Sequence, residues 1–209
     1  MPKQIDIKKI LQEGGNFEGL DLTFADFRGM TLENVNFTDT SMAAADFAGA
    51  TLINCTFDGA YMPDVNFAGA KLINCSFRDS FLQRANFRGA QIEGSNFEDA
   101  FLNVANFTEA KIKNTVFKNN PIKKADFRYA LVEDTVFENV NMNFTSLEKA
   151  NFRNVKFVDS DLRRVNTAHA VFSNIHDERT AFYGRKPWGG EPYHPEEENP
   201  YGASSYDLG

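Results

Sequence analysis

The chain has 209 residues, 42% of them apolar and 24% charged, with a formal charge of −7; this composition sustains a packed core and excludes wholesale disorder. Mean hydropathy is −0.42 and no apolar run approaches a membrane span, so no membrane role is expected. Two cysteines are too few for a disulfide framework, and the net acidity argues against direct nucleic-acid binding.

Residues 1–15 open with charges where a secretion signal needs an apolar stretch, which predicts a cytoplasmic protein. Ile5, Ile7, Ile10 and Leu11 predict an N-terminal cap, either a short amphipathic segment or an incomplete first coil.

From Phe17 to Leu162, stepping by five, 30 successive positions are all large and apolar, with no insertion or deletion. A small residue such as Ala85 or Ala105 stands two positions earlier in most repeats, and Asp or Asn often lies between. A period of five fits neither a helix nor a flat strand. It requires a short extended segment followed by a corner. The small and large residues then point inward, and Gly, Asn and polar residues turn the corner. Four corners close a square of about 20 residues. Thr167 breaks the series, with Phe172 as its last echo.

Ala85-Asn86-Phe87-Arg88-Gly89 and Ala105-Asn106-Phe107-Thr108-Glu109 resemble the consensus of the pentapeptide-repeat family, and the likeness covers about 150 of the 209 residues. The resemblance implies an all-β fold, a right-handed quadrilateral parallel β-helix of about 7.5 coils over residues 16–172. It implies little about function, because one scaffold serves many uses.

Columns taken every 20 residues test the square. Phe17, Phe37, Phe57, Phe77, Phe97, Phe117, Phe137 and Phe157 form one column, and Phe27 through Phe127 another. The other two inward columns are mostly aliphatic, as in Leu22–Met42–Met62 and Leu32–Leu52–Leu72. The ten-residue alternation alone also suits a two-sided coil; corner size and the family likeness favour four sides. Asn34, Asn54 and Asn74 predict a corner ladder, and Gly29, Gly49, Gly69 and Gly89 a tight corner. Cys55 and Cys75 stack in inward positions and are expected as buried free thiols. Of the 21 Phe, 16 fall on the register; Phe24, Phe81, Phe101, Phe144 and Phe182 do not belong to that run.

Tyr61, Phe81 and Phe101 stack on an outward side, with Pro63, Arg84, Val104, Lys123, Lys124, Phe144, Arg163 and Arg164 near them. An apolar stripe with a basic flank predicts a protein-binding surface, although the C-terminal tail or a second copy could equally cover it. Charge is uneven: residues 16–70 carry eight acids and one base, whereas 71–172 carry 15 bases and 12 acids.

Residues 173–209 are rich in Pro and Tyr and hold the only tryptophan, Trp188. Phe182, Tyr183 and Trp188 are expected to fold over the last coil as a lid or to contact a partner, and the final 15 residues to be flexible. No catalytic set, cofactor motif or metal-ligand spacing is present, and His176-Asp177-Glu178 is expected as a solvated turn. The expected function is therefore a non-enzymatic interaction scaffold with a protein partner, including a possible homodimer through a rod end or the stripe. Family likeness also raises a DNA-mimic modulator of gyrase or topoisomerase. Uneven acidity and the lack of loop insertions weigh against that reading. A structural part of a larger assembly is the third possibility.

Overall fold

In the computed structural model, which describes residues 6–190, the chain passes over itself every 20 residues in parallel register. Helix α1 (Ile7–Gln12) comes first; the Asp6 carboxylate caps it by accepting from the Lys9 N–H at 3.1 Å. Its Ile7, Ile10 and Leu11 pack on the core, so the N-terminal segment sits as a helical plug rather than as a coil.

Twelve three-residue strands follow: β1 (Thr31–Glu33), β2 (Thr51–Ile53), β3 (Lys71–Ile73), β4 (Gln91–Glu93), β5 (Lys111–Lys113), β6 (Val116–Lys118), β7 (Leu131–Glu133), β8 (Val136–Glu138), β9 (Asn151–Arg153), β10 (Lys156–Val158), β11 (Val171–Ser173) and β12 (His176–Glu178). One side of the solenoid is the eight-stranded sheet β1-β2-β3-β4-β5-β7-β9-β11, and the next side ends in the sheet β6-β8-β10-β12. The remaining two sides are built from single parallel bridges, such as Tyr61↔Phe81 and Asn66↔Asn86. Four sides per 20 residues are thus observed.

Inward rings account for most of the phenylalanine. Within each Phe column the rings stack at 4.6–5.3 Å between centroids. That is close to the ~4.8 Å spacing of neighbouring strands, so each ring lies flat on the one below. Rings of opposite columns meet edge-to-face at 5.5–6.4 Å.

Asp or Asn at the second repeat position makes an Asx turn, its Oδ1 accepting the backbone N–H two residues on: Asn86 from Arg88 at 3.1 Å, Asn106 from Thr108 at 2.9 Å. The residue three after the second repeat position commonly turns the corner with positive φ, as Gly89 does after Asn86 and Asn34 after Thr31. The predicted amide ladder is present where Asn54 donates to Asn34 at 3.2 Å and Asn174 to Asn154 at 2.8 Å.

The solenoid runs on past residue 172. Strand β12 pairs with β10, and Ala181 bridges Asp161. Thr167, Phe172, Asp177 and Phe182 keep the inward register, although two of them are polar. Asp177 occupies a place in the Phe column. Its Oδ2 accepts from Lys186 Nζ at 2.6 Å and from Trp188 Nε1 at 3.0 Å. The expected solvated turn at His176–Glu178 is therefore a strand with an inward carboxylate. Trp188 stacks on Phe157 at 5.4 Å and meets Phe172 and Phe182, which makes a lid over the rod end. The expected flexible segment 195–209 falls outside the described residues.

Candidate interaction surface

One side of the rod carries apolar rings where the repeat calls for polar residues. Phe81 and Phe101 stack at 5.0 Å and 2°, and Tyr61 lies 6.0 Å from Phe81. Mutual stacking covers only part of each ring; Tyr61 keeps 52% of its surface exposed, Phe81 37% and Phe101 39%.

The corner beside that side reads Phe24, Ala44, Asp64, Arg84, Val104, Lys124 and Phe144, all with positive φ. A left-handed backbone costs an L-residue roughly 1–2 kcal/mol, and β-branched Val suits it least. The corner at Asn34, Asn54, Asn74 and Gly94 uses residues that tolerate it. Bulky side chains thus occupy this corner against local backbone preference. Phe24 is 78% exposed and Phe144 54%.

Charge on this side is graded along the rod. Asp64 accepts a two-pronged contact from Arg84, Nε to Oδ1 at 2.7 Å and Nη2 to Oδ2 at 2.6 Å. These bonds hold the Asp64 carboxyl below its ordinary range. Arg163 grips Asp161 in the same way at 2.9 Å. The Arg164 guanidinium lies over the Phe144 ring, 5.1 Å from its centroid. Lys123 and Lys124 make no ion pair among the described residues.

The structure brings nine of the predicted contact residues to this side and its corner: Tyr61, Phe81, Phe101, Arg84, Lys123, Lys124, Phe144, Arg163 and Arg164. Trp188 is not with them. It lies in the lid, held by ring contacts and by Asp177, because the last coil offers it Phe157 to stack on. Pro63 is buried and adds nothing to the exposed stripe. A shallow cavity of about 520 Å³ runs beside this side, lined in part by Asn119, Pro121, Lys123, Asp161 and Arg163.

Sequence reasoning missed Asn120. Pro121 has no N–H, so it cannot donate to the Ala100 carbonyl as Phe101 donates to Ser80 and Phe81 to Ala60, each at 2.9 Å. Buried Asn120 supplies the missing donor through its Nδ2, at 2.8 Å from Ala100 O and 2.6 Å from Phe97 O. The dipeptide Asn-Pro was the available signal, readable only once Ala100 was known to lie underneath.

Among the described residues no group of three His, Cys, Asp or Glu could hold a metal ion. Cys55 and Cys75 are free and buried; the neighbouring Cys55 thiol and burial together push the Cys75 thiol up.

Family models agree with this architecture. "Pentapeptide repeat region" matches residues 50–127, and "Pentapeptide repeats (8 copies)" matches 13–39, 122–157 and 133–166. The chain is a pentapeptide-repeat protein. Solved structures similar to this pentapeptide-repeat protein include HetL, described as involved in heterocyst differentiation regulation, from the cyanobacterium Nostoc sp. strain PCC 7120. It is 16% identical, with 84% of this chain and 95% of that chain covered and a TM-score of 0.41. The plasmid-mediated fluoroquinolone resistance protein QnrB1 is 17% identical, with 78% and 93% covered and a TM-score of 0.39. A thylakoid-lumen pentapeptide-repeat protein of Arabidopsis thaliana is 22% identical, with 62% and 69% covered and a TM-score of 0.22. No curated protein matches the chain significantly. No helix among the described residues is long and apolar enough to cross a membrane.

Proposed function

We propose that this pentapeptide-repeat protein is a non-enzymatic scaffold that binds protein through the Tyr61–Phe81–Phe101 side and its corner. One observation carries this reading. The repeat explains every inward ring, yet on this side alone three aromatics stack outward beside a corner filled with residues its backbone disfavours. Exposed apolar surface with a charged rim is the composition of a protein contact, not of a small-molecule or nucleic-acid site. A cytoplasmic setting accords with two unpaired thiols. Gyrase mimicry would need acidity along the whole rod, and the basic residues Arg84, Lys123, Lys124 and Arg164 interrupt it here.

Affinity capture from the native host tests the proposal. Full-length protein is compared with the Phe81→Ser/Phe101→Ser variant and with a chain ending at Gly190, which keeps the lid. Loss of the captured protein with the double variant alone supports this side as the contact. Retention by that variant, with a circular dichroism spectrum unchanged from the parent, refutes it. Loss on truncation at Gly190 moves the contact to the C-terminal segment.

A further inference from the structure

We infer that the aromatic side pairs with the same side of a second copy, with the two rods antiparallel. This rests on the scaffold reading above and names the occupant of its surface. Two flat sides can face each other through a two-fold axis lying in their interface. If that axis runs along the rods, coils meet at the same level but the columns swap edges, so the corner column of Asp64, Lys124 and Phe144 faces the opposite edge of the side. The acidic first coils of one rod then lie on the acidic first coils of the other. If the axis runs across the rods, the order of coils reverses while each column still meets the same column.

With the axis between Phe81 and Phe101, the reversed order matches chemistry at successive levels. Phe81 meets Phe101 of the second copy at the centre. Tyr61 meets Pro121, a ring against a ring. In the corner column Asp64 meets Lys124, which has no ion pair of its own among the described residues. The small Ala44 meets the bulky, 54% exposed Phe144. At the outer end Phe24, 78% exposed, meets Arg164, whose guanidinium already stacks on Phe144. The pairs at these levels match in size and charge, apart from Asp21 against Asp161, whose carboxylate Arg163 already holds at 2.9 Å; the parallel arrangement instead sets acidic coils on acidic coils. The excess of acids before residue 70 and of bases after it points the same way. An antiparallel pair lays the acidic half of one rod along the basic half of the other, which favours encounter in that orientation.

The full chain is tested by analytical ultracentrifugation over a concentration series. The expected particle has twice the 23.5 kDa chain mass. Lys124→Asp should weaken pairing about tenfold or more through facing like charges, and adding Asp64→Lys should restore it. Register is read with a bifunctional maleimide spanning about 10 Å, the distance between face-packed sheets. Ala44→Cys and Phe144→Cys chains should cross-link when mixed and not when alone; buried Cys55 and Cys75 are shielded. A monomer at every concentration, or cross-linking of the Ala44→Cys chain with itself, overturns the inference. Either result leaves the scaffold reading standing if the Phe81→Ser/Phe101→Ser variant still loses its host partner.

Discussion

Asn120 and Pro121 should be energetically coupled, and the size of that coupling follows from the hydrogen bonds. In wild type the Ala100 carbonyl accepts from Asn120 Nδ2 at 2.8 Å, because Pro121 offers no N–H. Asn120→Ala leaves this carbonyl without a partner. The Phe97 carbonyl keeps the Ala100 N–H at 3.1 Å and is not orphaned. An unsatisfied buried acceptor costs about 1–3 kcal/mol. The same substitution removes Asn120 Oδ1, which is buried without a partner, and so returns part of that cost. A single variant therefore mixes two opposing effects. The double-mutant cycle separates them. In a Pro121→Ala background the backbone N–H reaches Ala100 O directly, so Asn120→Ala then shows only the relief. Effects of proline on the unfolded chain cancel in the cycle. The difference between the two backgrounds should be about 1–3 kcal/mol, the cost of one orphaned carbonyl. It corresponds to roughly 2–4 °C in melting temperature per kcal/mol for a chain of this size. Equilibrium denaturant unfolding followed by circular dichroism measures it. A coupling below about 0.5 kcal/mol, the scatter of independent sites, would refute the assignment.

Phe97 is fully buried and stacks on Phe77 at 4.7 Å and Phe117 at 5.0 Å; Phe97→Ala should cost about 3–5 kcal/mol, and an unchanged melting temperature would show that its column is not core. Lys186→Met leaves the buried Asp177 carboxylate without its ion pair and should destabilise the lid by about 3–5 kcal/mol. Fluorescence of Trp188, the only tryptophan, reads lid opening directly, and Asp177→Leu combined with Lys186→Met should recover most of the loss. The Asp26 carboxyl is lowered to about 2 from 3.8 by the side-chain and then the backbone hydrogen bond of Arg28. Because the folded value is depressed, its contribution is present above the ordinary carboxylate range and is lost as pH falls from about 4 towards about 2. An NMR titration should place the Asp26 midpoint near the lower value, and Arg28→Ala, which removes the guanidinium but keeps the backbone N–H, should raise it part of the way back.

The inside of this molecule was legible because each inward position answers to neighbours at fixed steps along the chain. Phe97 stacks on Phe77 and Phe117, 20 residues away, and meets Phe87 edge-to-face, ten residues away, so the period alone reveals its partners. The end of the rod was not legible, for a physical reason. Asp177 breaks the apolar pattern, and the groups that satisfy it, Lys186 and Trp188, lie beyond the repeat. A register search that accepts only apolar residues therefore stops at Leu162, before Thr167, with Phe172 as its last echo, although the backbone ladder continues to Ala181. Phe182, set aside as part of the tail, is the next inward residue and is buried under the lid.

The same logic turns departures on the outside into information. A solenoid end left open would template another chain, so a buried carboxylate and an indole lid at that end oppose stacking of rods end on end. Association is then left to the sides. On three sides exposed apolar residues such as Tyr129, Val116 and Val171 occur but form no stacked aromatic run among the described residues. On the fourth, Phe24, Val104 and Phe144 hold a left-handed backbone that Asn or Gly would hold at less cost. Local stability does not account for those side chains, and packing within the chain leaves each of them half exposed or more. A contact made outside the chain accounts for both facts at once, and the reversal of size and charge along this one column is what makes a second rod its natural complement.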